Sequence, residues 1–113
     1  MPARRWLVEY VAEAVQDFQA IEARKERIGV LTVVDKLVAL GPSLQPPHVK
    51  SLKGEANLME LRPRQGQSPV RPVFARVGDG YKILAIAAAK SQFDDAVAAA
   101  RARAAKYDIA LSR

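Results

Sequence analysis

The stretch VRPVFARVGDGYKILAIA, from Val70 to Ala87, contains two β-strands and the turn that joins them. Val70 to Val77 is rich in β-favouring side chains, and Gly78-Asp79-Gly80 supplies a tight reversal. Tyr81 to Ala87 follows, almost continuously apolar from Ile83, as in a central strand covered on both faces. Pro72 brings no N–H to a ladder, so the first of these strands is expected to carry a bulge or an exposed margin there. Upstream, Asn57-Leu58-Met59-Glu60-Leu61-Arg62 reads as a further strand, with Pro63 to Pro69 as the connection. The three strands predict an antiparallel meander.

Working outward, Pro42 to Pro47 is a loop, and Leu40-Gly41-Pro42 stops a helix that starts near Arg27. Leu31, Val34, Leu37 and Val38 are its expected apolar face. A preceding helix from Val11 places Val11, Val15, Phe18 and Ile21 on one side, with Arg24 and Lys25 complementing its C-terminal dipole. The two helices predict an antiparallel hairpin. Arg5 to Tyr10 reads as an opening strand. At the other end, Ser91 and Asp94 fit a capping box before an Ala-rich helix that ends near Tyr107. The order is strand, helical hairpin, three-strand meander, helix: an α+β fold in a single domain over residues 1–113.

Composition narrows the chemistry. The chain has no cysteine and one histidine, His48, which leaves no disulfide framework, thiolate metal site or His-rich zinc site. No metal site and no cofactor are expected. No apolar run approaches the ~18 residues of a membrane span, so a soluble cytoplasmic chain without membrane contact is expected. The formal charge is +6, and its distribution matters more than its size. From His48 to Lys90 there are eight basic residues against three acids, whereas residues 1–47 carry six of each. A basic middle beside a balanced start suits a polyanion, and equally an acidic protein segment.

Strand parity sharpens this. Leu58, Glu60 and Arg62 share one face of their strand, and Arg71 shares a face with Val73, Ala75 and Val77. An arginine at a half-buried sheet position needs a carboxylate, an anion or an opening to water. Glu60 cannot neutralise Arg62, Arg71 and Arg76 together.

The run Lys50-Ser-Leu-Lys-Gly54, then Leu58-Met-Glu-Leu-Arg-Pro63, then Val70-Arg-Pro-Val-Phe74, resembles the middle of the RelE/HigB toxin superfamily, especially its phage-derived Gp49-like branch. The upstream Trp/Val/Glu/Tyr strand, the helical hairpin and the terminal Ala/Arg helix follow the same order, so the resemblance covers almost the whole chain. It implies a RelE-like fold and the toxin of a type II toxin–antitoxin system. Such a toxin is a ribosome-dependent mRNA endonuclease that cleaves without metal, by attack of the ribose 2′-OH on the adjacent phosphate. Its implied partners are a cognate antitoxin of helix-turn-helix type and mRNA on the ribosome. The chemistry needs a base, charge stabilisation at the phosphoryl oxygens and a proton donor to the leaving oxygen.

Carried over residue by residue, Arg62 and Arg71 are the expected phosphoryl clamps, with Lys53 and Lys90 as further catalytic candidates. Lys50, Arg64, Arg76 and Lys82 are the expected RNA-binding residues. The chain departs from the branch at Leu84 to Lys90. This run is Ala-rich and lacks the histidine and aromatic that the branch carries there. That departure implies an alternative, a catalytically degenerate toxin or binding protein acting on a protein target.

Overall fold

The computed structural model describes residues 5–112. Its elements are β1 (Leu7–Tyr10), α1 (Ala12–Gln19), α2 (Arg24–Leu40), β2 (Val49–Ser51), β3 (Met59–Leu61), β4 (Arg71–Val77), β5 (Gly80–Ala87) and α3 (Phe93–Lys106). The five strands form one sheet in the order β1-β5-β4-β3-β2. The expected meander is its centre: β3, β4 and β5 pair antiparallel, with Val77 opposite Gly80 across the two-residue turn Gly78-Asp79. β1 joins parallel to β5 at one edge, and β2 joins antiparallel to β3 at the other.

β2 was not foreseen. It is three residues long and includes two polar side chains, Lys50 and Ser51, too few for an alternation to register. The helix boundary also differs from expectation: α1 ends at Gln19, and Arg24 and Lys25 open α2 rather than close α1. Val15 and Leu31 face water, whereas Val11, Ile21, Val34 and Leu37 are buried as expected, joined by Ala14, Val30 and Val33. A one-residue shift in phase turns a helical stripe by 100°, which is enough to replace Leu31 with Val30. The stop at Gly41 holds as expected. Its φ is +52°, its N–H bonds the Leu37 carbonyl, and a Cβ there would run into the Trp6 indole. No side chain caps α3, so the expected Ser91–Asp94 capping box is absent; Lys90–Gln92 forms a short 3-10 turn instead.

A bulge does lie next to Pro72, but on the partner strand and not on its own. Register passes from Val73↔Ala85 to Phe74↔Ile83, so Leu84 is the extra residue of β5. The expected exposed margin is not found, because Pro72 is fully buried. Ladder pairing from β3 has already ended at Glu60↔Val73, where a missing N–H costs nothing. Helices complete the backbone bonding around the bulge. Asp17 of α1 accepts the Ile86 N–H at 3.1 Å, and Arg103 of α3 donates to the Leu84 carbonyl at 2.9 Å and to Asp17 at 2.7 Å.

A second tie joins α1 to the end of α3. Glu13 accepts hydrogen bonds from Lys106 at 2.8 Å and from the Tyr107 hydroxyl at 2.6 Å. Lys106 first and Tyr107 second hold its carboxyl down to about 2, from an ordinary value of 4.5. A folded-state pKa below the unfolded one means that the unfolded chain takes up the proton first. The contribution is therefore complete above pH 4.5 and is lost as the pH falls through about 2. Glu13→Gln is expected to lower stability at pH 6, with the gap to wild type closing as the pH falls. Urea unfolding across an acid series checks this.

Candidate nucleic-acid interface

The basic candidates do not gather in one place; the sheet divides them. Directly opposed residues share a face, so Lys50, its partner Glu60, and Val73 beyond Glu60 point the same way. Arg62 lies two residues from Glu60 and Arg71 two from Val73, which puts both arginines on that face. Glu60, only 5% exposed, is the acid between them. Its Oε1 bonds Arg62 at 2.7 Å and lies 3.8 Å from Arg71 Nε.

The two arginines nevertheless do different work. Arg71 is buried, and its guanidinium spends its fork on backbone: Nη1 donates to the carbonyls of Ser68 and Val70, and Nη2 to that of Gly66 at 3.1 Å. Burial, and then the neighbouring Arg62 charge, push its pKa down, with Glu60 opposing. Arg62 is 29% exposed and borders a cavity of about 590 Å³ whose other walls include Lys50, Pro46, Pro47, Met59 and Phe74. Arg62 and Lys50 are thus the cations of this face that reach solvent here, and Arg71 is the strut behind them.

What the strut holds is the turn Pro63–Gly66, the segment that sequence reasoning treated only as a connection. Arg64 and Gln65 have φ of 54° and 59°, and Gly66 of 90°, so three consecutive residues are left-handed. The two that are not glycine each cost about 1–2 kcal/mol in that region. Only a network of bonds can retain them. Glu26 of α2, buried, accepts the Ser68 hydroxyl at 2.8 Å and pairs with Arg64 at 2.9 Å. Arg71 takes the carbonyls on the other side. Gly66 also makes room, since a Cβ there would lie 2.9 Å from the Arg62 guanidinium. Among these residues only Gly66 carried a readable signal; Glu26, mid-sequence in an exposed-looking helix start, carried none.

The remaining candidates lie apart. Lys90 is exposed at the start of the 3-10 turn, three residues past Ala87, the β5 partner of Arg71, and so lies at the same end of the sheet. Lys53 is exposed in the β2–β3 turn at the opposite end, beside Glu55, which pairs with Arg101 at 2.6 Å. Lys82 is held by Glu9 at 2.6 Å on the far end of β5. Arg76 lies on the other face, 5.2 Å over the Trp6 ring, with its Nε bonded to the Gly78 carbonyl. Tyr81 is buried, with its ring centroid 5.6 Å from that of Phe74 in the core. Among the described residues no three His, Asp or Glu side chains group where a metal ion could be held, and no helix is long and apolar enough to cross a membrane.

No curated protein matches the chain. Two solved structures share its fold. The free E. coli toxin RelE, solved as a double arginine-to-alanine mutant, superposes with a TM-score of 0.67 at 12% identity, over 88% of this chain and 97% of that one. The archaeal RelE–RelB complex from Pyrococcus horikoshii OT3 gives a TM-score of 0.54 at 20% identity, over 73% of this chain and 92% of that one. The sheet order, the helical hairpin and the arginine-bearing β3–β4 pair thus stand on a RelE fold. Residues 16–113, from within α1 through all the strands of the site, match the family described as phage-derived protein Gp49-like (DUF891), and the chain belongs to it.

Proposed function

We propose that this chain is the toxin of a type II toxin–antitoxin pair, a cytoplasmic single-domain endoribonuclease that cleaves mRNA on the ribosome. The observation that carries the reading is Arg62, a partly exposed guanidinium on the sheet face it shares with Lys50, oriented by a buried carboxylate and backed by an arginine-pinned turn. A planar fork in that position can donate two parallel hydrogen bonds to a phosphoryl group. As the 2′-OH gives up its proton to water and its oxygen attacks, negative charge grows on the non-bridging oxygens, and Arg62 stabilises it where Glu60 prevents the fork from swinging away. Lys50, exposed and with no ion pair among the described residues, supplies further charge and a proton for the leaving 5′-oxygen. Lys90 is the second candidate for that proton. Arg71 acts through the turn and not on the phosphate. A like-folded chain solved as a RelE–RelB complex supports an antitoxin partner here, and the helix-turn-helix type extends that proposal.

Expression of the chain alone should arrest growth and shorten mRNA, and co-expression of the neighbouring reading frame should relieve both. Cleavage in a translation extract should fall about tenfold or more for Lys50→Ala. Lys53→Ala, at the other end of the sheet, should stay close to wild type. Equal losses for the two would remove the positional argument.

One observation favours a second reading. The end of β5 and its exit, Ala85 to Ala89, bring no acid–base side chain to the site before Lys90. A toxin that binds a protein target without cutting RNA fits that end of the sheet. It would arrest growth with mRNA intact.

A further inference from the structure

A second cavity, of about 470 Å³, lies between α2 and the left-handed turn. α2 lends it one stripe, Lys25, Ile28, Gly29, Thr32, Val33 and Lys36, at helical spacing. Lys25 and Lys36 are eleven residues apart, which is about 16 Å along a helix. The facing wall is Arg64, Gln65 and Gln67, with His48 at one end. No acid lines this groove. Glu26 of the same helix is buried and already committed to Arg64 and Ser68. Lys25 and Lys36 have no ion pair among the described residues.

We infer that this groove is a second phosphate-binding track, which takes the RNA strand as it leaves the Arg62 site; the inference rests on the RNA-cleaving reading above. Continuity supports it: the His48 carbonyl accepts the Arg62 N–H at 2.8 Å, so the groove begins one residue pair from the clamp. The left-handed turn supports it too. Its conformation aims Arg64 and Gln65 at the groove at a cost in backbone energy that the buried Glu26 and Arg71 bonds offset. The occupant is RNA and not an acidic helix because the apolar floor is only Ile28, Gly29 and Val33. An amphipathic helix needs a wider apolar stripe. Thr32, Gln65 and Gln67 instead offer neutral donors and acceptors suited to ribose hydroxyls and base edges.

Fluorescence anisotropy with a 2′-O-methyl RNA of about 12 nucleotides, which blocks 2′-OH attack, tests this. Wild type is compared with Lys25→Ala/Lys36→Ala over a salt series. The double variant should bind about tenfold more weakly near 0.1 M salt, with a salt slope shallower by about 1.4, that is ~0.7 for each lost phosphate contact. Its unfolding temperature should stay near wild type, since neither lysine is buried. Unchanged affinity and slope would overturn the track while leaving cleavage at Arg62 standing. A polyglutamate of equal charge that binds wild type as tightly as the RNA, and is lost equally in the double variant, would also overturn it and give the groove to an acidic protein. A wild-type chain that neither binds this RNA nor cuts mRNA would remove the RNA-cleaving reading, and the track with it.

Discussion

Arg62→Ala should reduce mRNA cleavage by at least about a hundredfold, the usual effect of deleting one preorganised donor to a developing oxyanion. The protein should nonetheless remain folded. Arg62 is partly exposed, and its bond to Glu60 is a partly solvated pair whose loss costs on the order of 1 kcal/mol. Glu60 keeps Arg71 at 3.8 Å, so the buried carboxylate is not left alone. Arg62→Lys separates charge from geometry. An ammonium can satisfy Glu60 but cannot offer a planar fork, so stability should return to wild type while cleavage does not. Thermal unfolding, growth on induction and mapping of mRNA 5′ ends supply the readouts. A folded Arg62→Ala protein that still cuts mRNA at the wild-type rate would remove this residue from the chemistry.

How far such a site can be read from sequence depends on what positions it. The meander was legible because the long apolar run from Ile83 to Ala87 and the Gly78-Asp79 turn are local signals that tertiary structure did not override. The grouping of Arg62 with Glu60 and of Arg71 with Val73 was legible because parity survives along an unbroken strand, and the bulge falls on β5, not on β3 or β4; that the two groups share one face follows from the register. The division of labour between the two arginines was not legible. Whether a guanidinium meets phosphate or backbone depends on how the 63–70 connection closes over it. That closure is decided by Glu26, more than forty positions from Ser68 in the chain. The α2 groove was hidden for a related reason. Lys25 was read as the end of one helix, and its place near the start of the next is what brings it into line with Lys36.

Arg71→Ala should produce the largest loss of stability. Three backbone carbonyls, of Gly66, Ser68 and Val70, would lose their donor inside the protein, and Glu60 would keep only Arg62. Each buried polar group left unsatisfied costs about 1–3 kcal/mol, and breaking a buried charged network commonly totals about 3–5 kcal/mol. For a chain of this size that corresponds to a fall in Tm of roughly 10–20 °C. The left-handed Arg64 and Gln65 should relax first, since nothing else offsets their strain on that side. Amide exchange in residues 63–70 should therefore accelerate more than in β4 or β5. Arg71→Lys reaches one carbonyl, not three, and should fall between. The outcome distinguishes two roles that activity alone would confuse. A phosphate clamp predicts an inactive Arg71→Ala protein with near-normal Tm and normal exchange in 63–70. A strut predicts that cleavage, Tm and protection of the turn fail together, and that Arg71→Lys partially recovers all three in step.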